Sequence, residues 1–236
     1  MQYKTELHAH TRESSNCADL SAQEVAERYI AAGYTTLLVT NHYNDYHLDL
    51  AGEAWEERIA HHLAGYRALK EYAGDRLCVL LGCELRFVGS ANDYLVFGAD
   101  EDFLINHPDL HKMNLKSFSA LAHLHGFLIV QAHPFRNGMT VMNPEHLDGF
   151  EVFNGHPGHH SRNQIADAWA KQFGAIRTSG SDFHHPTQSP CGGILTSAPI
   201  RTQKELLDVL NSGDYTLLCA GPAAERDGMR DMPAKY

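Results

Sequence analysis

Runs of apolar and β-branched residues alternate with three- and four-spaced apolar stretches from the first residues to about Leu218, the pattern of repeated βα units. Residues 21–32 open with a capping box, Ser21 with Glu24, and present Val25, Ala26, Tyr29 and Ile30 on one side before Gly33, which predicts a helix. TTLLVT at 35–40 predicts a strand, and residues 50–73 predict one long helix carrying Trp55, Ile59, Leu63, Tyr66 and Leu69. Further strands are expected at 77–81, 94–97, 127–131, 149–153 and 175–178. Helices are expected at 115–125, 161–173 and 202–211, the last with a second capping box, Thr202 with Glu205. The expectation is an α/β fold of seven strands forming a single domain over residues 1–220. Residues 221–236, GPAAERDGMRDMPAKY, lack periodicity and predict a loosely held polar tail.

The charge balance removes several functions. Nineteen Lys and Arg stand against 29 Asp and Glu, a formal net charge of -10, so no surface is expected to gather a long polyanion and nucleic acid is not an expected partner. No basic segment leads into an apolar run at the start, and no stretch reaches the ~18 apolar residues of a spanning helix, so neither export nor a membrane is expected. The five cysteines are scattered, without CxxC spacing, which points away from a disulfide framework and toward a reducing cytoplasm. Oligomeric state is not readable from sequence.

Histidine is over-represented, with 17 residues. Imidazole is the commonest metal ligand, so the position of each matters. His8 and His10 follow the first strand at i, i+2, which sets both side chains on one side of extended chain. His42 follows TTLLVT, Glu84 follows LCVLLGC, His133 follows FLIVQA, and Asp182 and His184 follow AIRTSGS. Any one of these alone reads equally well as a hydrogen-bonded loop histidine or a capping acid; their recurrence at five successive strand ends does not. In a barrel of parallel strands those ends share one rim. Imidazole and carboxylate without thiolate suit zinc, manganese or iron, and so many ligands exceed one tetrahedral site, so more than one divalent ion is expected, with Glu84 bridging.

The ordered motifs ELHAHT (His8, His10), VTNHYN (His42), GCELR (Glu84), QAHPFR (His133), EVFN (Asn154) and GSDFH (Asp182, His184) resemble the PHP (polymerase and histidinol phosphatase) family of metal-dependent phosphoesterases across nearly the whole chain. The resemblance implies a distorted seven-stranded (βα)7 barrel, TIM-barrel-like, with up to three metals. By analogy His8, His10, Glu84 and Asp182 would hold the first, Glu84 and His133 the second, and His42 and His184 the third. Three positions depart from the family's pattern. Asn41 stands in the Thr-Asp-His triplet, Ser15-Asn16-Cys17 stand where an acid or histidine is usual, and Asn92-Asp93-Tyr94 lack the histidine of the following strand. The second and third sites are each one ligand short by that pattern, leaving water, Cys17 or Asp93 to substitute, or a metal to be missing.

The expected reaction is hydrolysis of a small phosphate ester by metal-activated water, with Glu84, Asp182, His184 and Arg136 as catalytic candidates. Arg136, three residues after His133, is expected on the same rim as a phosphate donor, while Arg12 and Arg86 read more readily as solvated. No nucleophile motif or GxxxxGK[ST] loop occurs. His61 and His62 are expected on the surface of the long helix, and Cys78 and Cys83 as small buried hydrophobes. His156, His159 and His160 follow a strand end and are more readily loop residues than substrate contacts. Two other classes stay open: an amidohydrolase-type enzyme acting on a C–N or lactone bond, and a metal-poor binding module.

Overall fold

A computed structural model describes residues 2–235. The strands are β1 (Tyr3–Glu6), β2 (Tyr34–Val39), β3 (His42–Tyr43), β4 (Cys78–Arg86), β5 (Asp93–Phe97), β6 (Leu128–Gln131), β7 (Gly149–Asn154), β8 (Ile176–Gly180), β9 (Ile194–Thr196), β10 (Thr216–Leu217) and β11 (Met232–Pro233). The helices are α1 (Ala22–Ala31), α2 (Asp45–Asp49), α3 (Trp55–Ala73), α4 (Glu101–Asn106), α5 (Leu115–Leu124), α6 (Asn163–Phe173), α7 (Gln203–Ser212) and α8 (Gly221–Asp227). Both capping boxes form, Ser21 with Glu24 on α1 and Thr202 with Glu205 on α7, satisfying backbone donors that a helix start leaves unpaired.

One sheet runs in the order β11-β10-β9-β1-β2-β4-β5-β6-β7-β8, with β3 added on β4. Pairs β1–β2, β2–β4, β6–β7 and β7–β8 are parallel, whereas β5 is antiparallel to both β4 and β6. The parallel strands bury both faces, which explains their continuous apolar runs, and Tyr29, Tyr43, Phe97, Phe150, Phe153 and Phe183 are the bulky side chains of the core.

The expected all-parallel seven-stranded barrel is corrected at two places. Residues 87–92 are too few for a crossover helix, so β5 can return only antiparallel. The sheet curls, but among the described residues no ladder joins β1 to β8; the segments just beyond them meet at one isolated bridge, Ala9 to Phe183. The long helix expected at 50–73 is also shortened: Gly52 adopts φ +128, outside helical space, and separates α2 from α3. The expected loose tail is replaced by α8, which buries Ala223 and Ala224, and by β11, paired with β10. Arg177 on β8 donates to the carbonyls of Pro233 and Ala234 at 3.0 and 3.2 Å, tying that segment down. Among the described residues no helix is long and apolar enough to cross a membrane.

Candidate metal centre

The C-terminal ends of β1, β4, β6 and β8, with the short β3, bring His8, His10, His42, Glu84, His133, Asp182 and His184 together. Glu84 lies at the middle. Its Oε1 is 3.1 Å from His133 Nε2 and 3.4 Å from His8 Nε2, while Oε2 is 2.8 Å from His42 Nδ1 and 3.4 Å from His10 Nε2. Asp182 Oδ1 is 3.5 Å from His8 Nε2, 3.6 Å from His10 Nε2 and 3.2 Å from His184 Nδ1. Ligand atoms within 4.8 Å of one another fall into the sets His8, His10, Asp182; His8, Glu84, His133; His10, His42, His184; and Cys17, His42, His47.

Close approach at this centre dictates local backbone. A Cβ on Gly180 would collide with His8 and Glu151, so β8 can pass the centre only with glycine there. His133 and Asp182 both have positive φ, +30° and +49°, a costly backbone for residues with side chains that is found at functional sites.

The polar atoms here do not satisfy one another. His8 Nε2 and His10 Nε2 are buried without a hydrogen-bond partner, and His42 Nδ1 and Glu84 Oε2, though 2.8 Å apart, face each other without hydrogen-bond geometry, an arrangement that costs free energy unless something supplies a partner. Nitrogen and carboxylate lone pairs converging in this way fit divalent cations, so the residues present suit the ions their chemistry implies. Burial pushes His8 down, but Glu151, Asp182 and Glu84 together hold it well above its ordinary pKa. Burial acts likewise on His42 and His184, yet His42 is raised to about 10 by Glu84 and Cys17, and His184 to about 9 by Asp182 and Cys17. His10 goes the other way, lowered by burial and by the neighbouring charges of His184 and His42. Burial disfavours ionised Glu84 and Asp182, but the surrounding imidazoles reverse the sign and hold both well below the ordinary carboxylate range.

A supporting layer fixes these side chains. Glu151 Oε1 is 2.8 Å from His8 Nδ1, and its Oε2 accepts from the His133 backbone at 2.9 Å and from Asn154 Nδ2 at 3.0 Å. Asn154 Nδ2 also donates to Asp182 Oδ2 at 3.1 Å. Buried Glu6 accepts from the backbone N–H groups of His8 and Ser181 at 3.1 and 2.9 Å and from the Tyr29 hydroxyl at 2.9 Å. Asn41 Oδ1 accepts from the Thr11 backbone at 2.8 Å and the Ser15 hydroxyl at 3.0 Å, latching the loop after His10 to the end of β2. Sequence reading gave no role to Glu6 or Glu151; for Glu151 the available signal was an acid within the apolar run of β7, whose residues are all buried.

Arg136 is partly buried, with Nη2 3.5 Å from Asp93 Oδ2, and Arg86 grips the same carboxylate through both oxygens at 2.6 and 2.7 Å. Asp93, a possible substitute ligand by sequence, therefore faces two guanidinium groups and stands 3.8 Å from His133 Nε2. Arg12 is exposed and donates to the Asp19 carbonyl. His156 packs 5.8 Å from His184 and 4.4 Å from His159, ring centre to ring centre, at the edge of the centre.

One histidine expectation is corrected. His62 is buried with Nδ1 3.3 Å from the His42 carbonyl, because α3 lays that side against the loop after His10, where the Gly65 N–H donates to Ser14 Oγ. Cys83 is buried as expected, whereas Cys78 is half-buried.

Several solved structures share this fold. A two-domain protein from Bacteroides vulgatus, described as containing a predicted PHP-like metal-dependent phosphoesterase, superposes with a TM-score of 0.67 at 16% identity over 93% of this chain. The chain spans 65% of that protein's length. A protein from Bifidobacterium adolescentis, described as a candidate metal-dependent phosphoesterase, gives a TM-score of 0.55 at 13% identity, covering 89% of this chain and 96% of its own. An amidohydrolase from Chromobacterium violaceum, with bound sulfate and no metal, gives a TM-score of 0.53 at 16% identity, covering 93% and 99%. No protein-family model and no curated protein matches the chain. The chain thus shares its fold with proteins described as metal-dependent phosphoesterases and with an amidohydrolase.

Proposed function

We propose that this chain is a metal-dependent phosphohydrolase that uses water to cleave a small phosphate ester. The observation that carries the reading is the convergence of buried, unpartnered ligand atoms from His8, His10, His42 and Glu84 on one side of the sheet, with Asp182, His133 and His184 closing around them. His8, His10, Glu84 and Asp182 would hold one ion, Glu84 and His133 a second, and His42 and His184 a third, drawn from zinc, manganese and iron. When bound, such ions supply positive charge to the phosphoryl oxygens and acidify water at neutral pH.

The chain's own residues do the rest. Arg136, held in place by Asp93, offers paired guanidinium donors to the phosphoryl group. Glu84 presents one oxygen to each side of the centre, as a bridging carboxylate must. The Asp182 carboxylate, 3.2 Å from His184 Nδ1, keeps that imidazole oriented. The five cysteines, all free, fit a reducing, cytoplasmic setting.

The shared fold with an amidohydrolase supports a second reading, hydrolysis of a C–N or lactone bond. Chelator-stripped protein reloaded with zinc, manganese or iron and assayed against phosphomonoesters, amides and lactones separates the two. Phosphate release restored by metal supports the proposal; metal-dependent turnover of amides or lactones alone replaces it.

A further inference from the structure

The set Cys17, His42, His47 includes two residues outside the ligand assignment above. His47 lies on α2 and belongs to none of the motifs that run along the strand ends. Its position is nonetheless prepared. Asn44 caps α2 by accepting from the His47 backbone N–H at 3.0 Å, and the same Oδ1 stands 3.0 Å from His47 Nδ1. A proton on Nδ1 pairs with that oxygen and leaves Nε2 as the lone-pair nitrogen, the way ligand imidazoles are oriented in metal sites. His47 Nε2 is buried without a partner. The His42 and His47 rings pack with centres 4.7 Å apart, and Cys17 supplies a sulfur from the loop after His10.

We infer that Cys17, His42 and His47 form a thiolate–imidazole metal site at the outer edge of the centre, with a preference for zinc or cobalt over manganese. The inference rests on the metal-centre reading above but assigns ligands that reading lacks. Its ligand atoms lie within 4.8 Å of one another, close enough for one ion to gather them with small side-chain movements. One sulfur and two imidazoles make a soft set, whereas the Glu84 and Asp182 sets pair imidazole with hard carboxylate oxygen. Three protein ligands leave a fourth tetrahedral position open, on the side where Cys17 is exposed. The centre would therefore be chemically graded, with carboxylate-rich sets inside and a sulfur-bearing site outside.

The test uses the full-length chain, stripped with chelator and titrated with cobalt(II), whose thiolate complexes show a near-ultraviolet charge-transfer band. Cys83, Cys191 and Cys219 are buried and Cys78 lies on β4 outside every ligand set, so a band can be traced to Cys17 by substitution. Wild-type protein is expected to show the band, Cys17→Ser to lack it and to hold about one zinc fewer per chain, and His47→Ala to need about tenfold or more cobalt to reach it. Circular dichroism checks that each variant is folded. Cobalt uptake by wild type without the band, or a band that survives in Cys17→Ser, overturns this site and leaves the hydrolase proposal standing. No uptake of cobalt, zinc or manganese by wild type overturns both.

Discussion

The carboxylate of Glu151 on β7 meets Nδ1 of His8 at 2.8 Å across 143 residues of sequence, with both side chains buried. That contact fixes which nitrogen carries the proton and turns Nε2 toward Glu84 and Asp182. Glu151→Gln should therefore weaken metal binding by about 10- to 100-fold while the protein stays folded. Calorimetric titration of stripped protein with zinc or manganese measures this, and an affinity within about twofold of wild type would show that His8 needs no such support.

Removing the bridge should cost more than removing an edge ligand. Glu84 approaches four imidazoles, whereas His42 approaches Glu84 from one side. Glu84→Gln is expected to lower bound metal at the two inner sites, and His42→Ala only at the outer edge of the centre, read by elemental analysis after equal reconstitution. The reverse order would remove Glu84 from the middle of the centre.

Arg136 gives a kinetic test. If it holds the phosphoryl group, Arg136→Ala should lower kcat/KM on a cleaved phosphomonoester by about tenfold or more, equivalent to at least ~1.4 kcal/mol of transition-state stabilisation, with metal content unchanged. Arg136→Lys should recover little, since an ammonium keeps the charge but not the paired donors. Unaltered kinetics in Arg136→Ala would assign the side chain to Asp93 alone.

Gly180→Ala tests how tightly β8 is packed against the ligands. The added methyl collides with His8 and Glu151, and overpacking of this kind costs about 1–3 kcal/mol. For a chain of this size each kcal/mol corresponds to roughly 2–4 °C in Tm. A lowered Tm together with weaker metal binding is expected by thermal scanning and titration; loss of neither would mean the two strands separate freely.

The ligands were legible because each sits where a strand pattern stops, a local feature that sequence displays. Most strands and the capped helices α1 and α7 were legible for the same reason, each carrying its own periodicity or start signal. The antiparallel return of β5 depends on the brevity of one connection, and the incomplete closure between β1 and β8 depends on sheet curvature, which no window of sequence encodes. α8 and β11 escaped notice because they are short and polar and gain order from packing rather than periodicity. His47 was overlooked because its ring is oriented by Asn44, a cap whose second contact appears only in three dimensions. His62 was misread because helical spacing identifies a face without telling what lies against it.

The seam between β1 and β8 also sets an order of events. Glu6 reaches the Ser181 backbone over 175 residues, and the segments that follow β1 and β8 pair at the Ala9–Phe183 bridge. Such long-range closure comes late, because the loop entropy is spent before the contact repays it. The ion-binding centre is thus assembled from the earliest and latest synthesised strands that contribute to it. A nascent chain that has emerged only through β7 would have three of the four ligands of the first ion and lack Asp182 and His184, so tight metal capture would report that β1 and β8 have been drawn together.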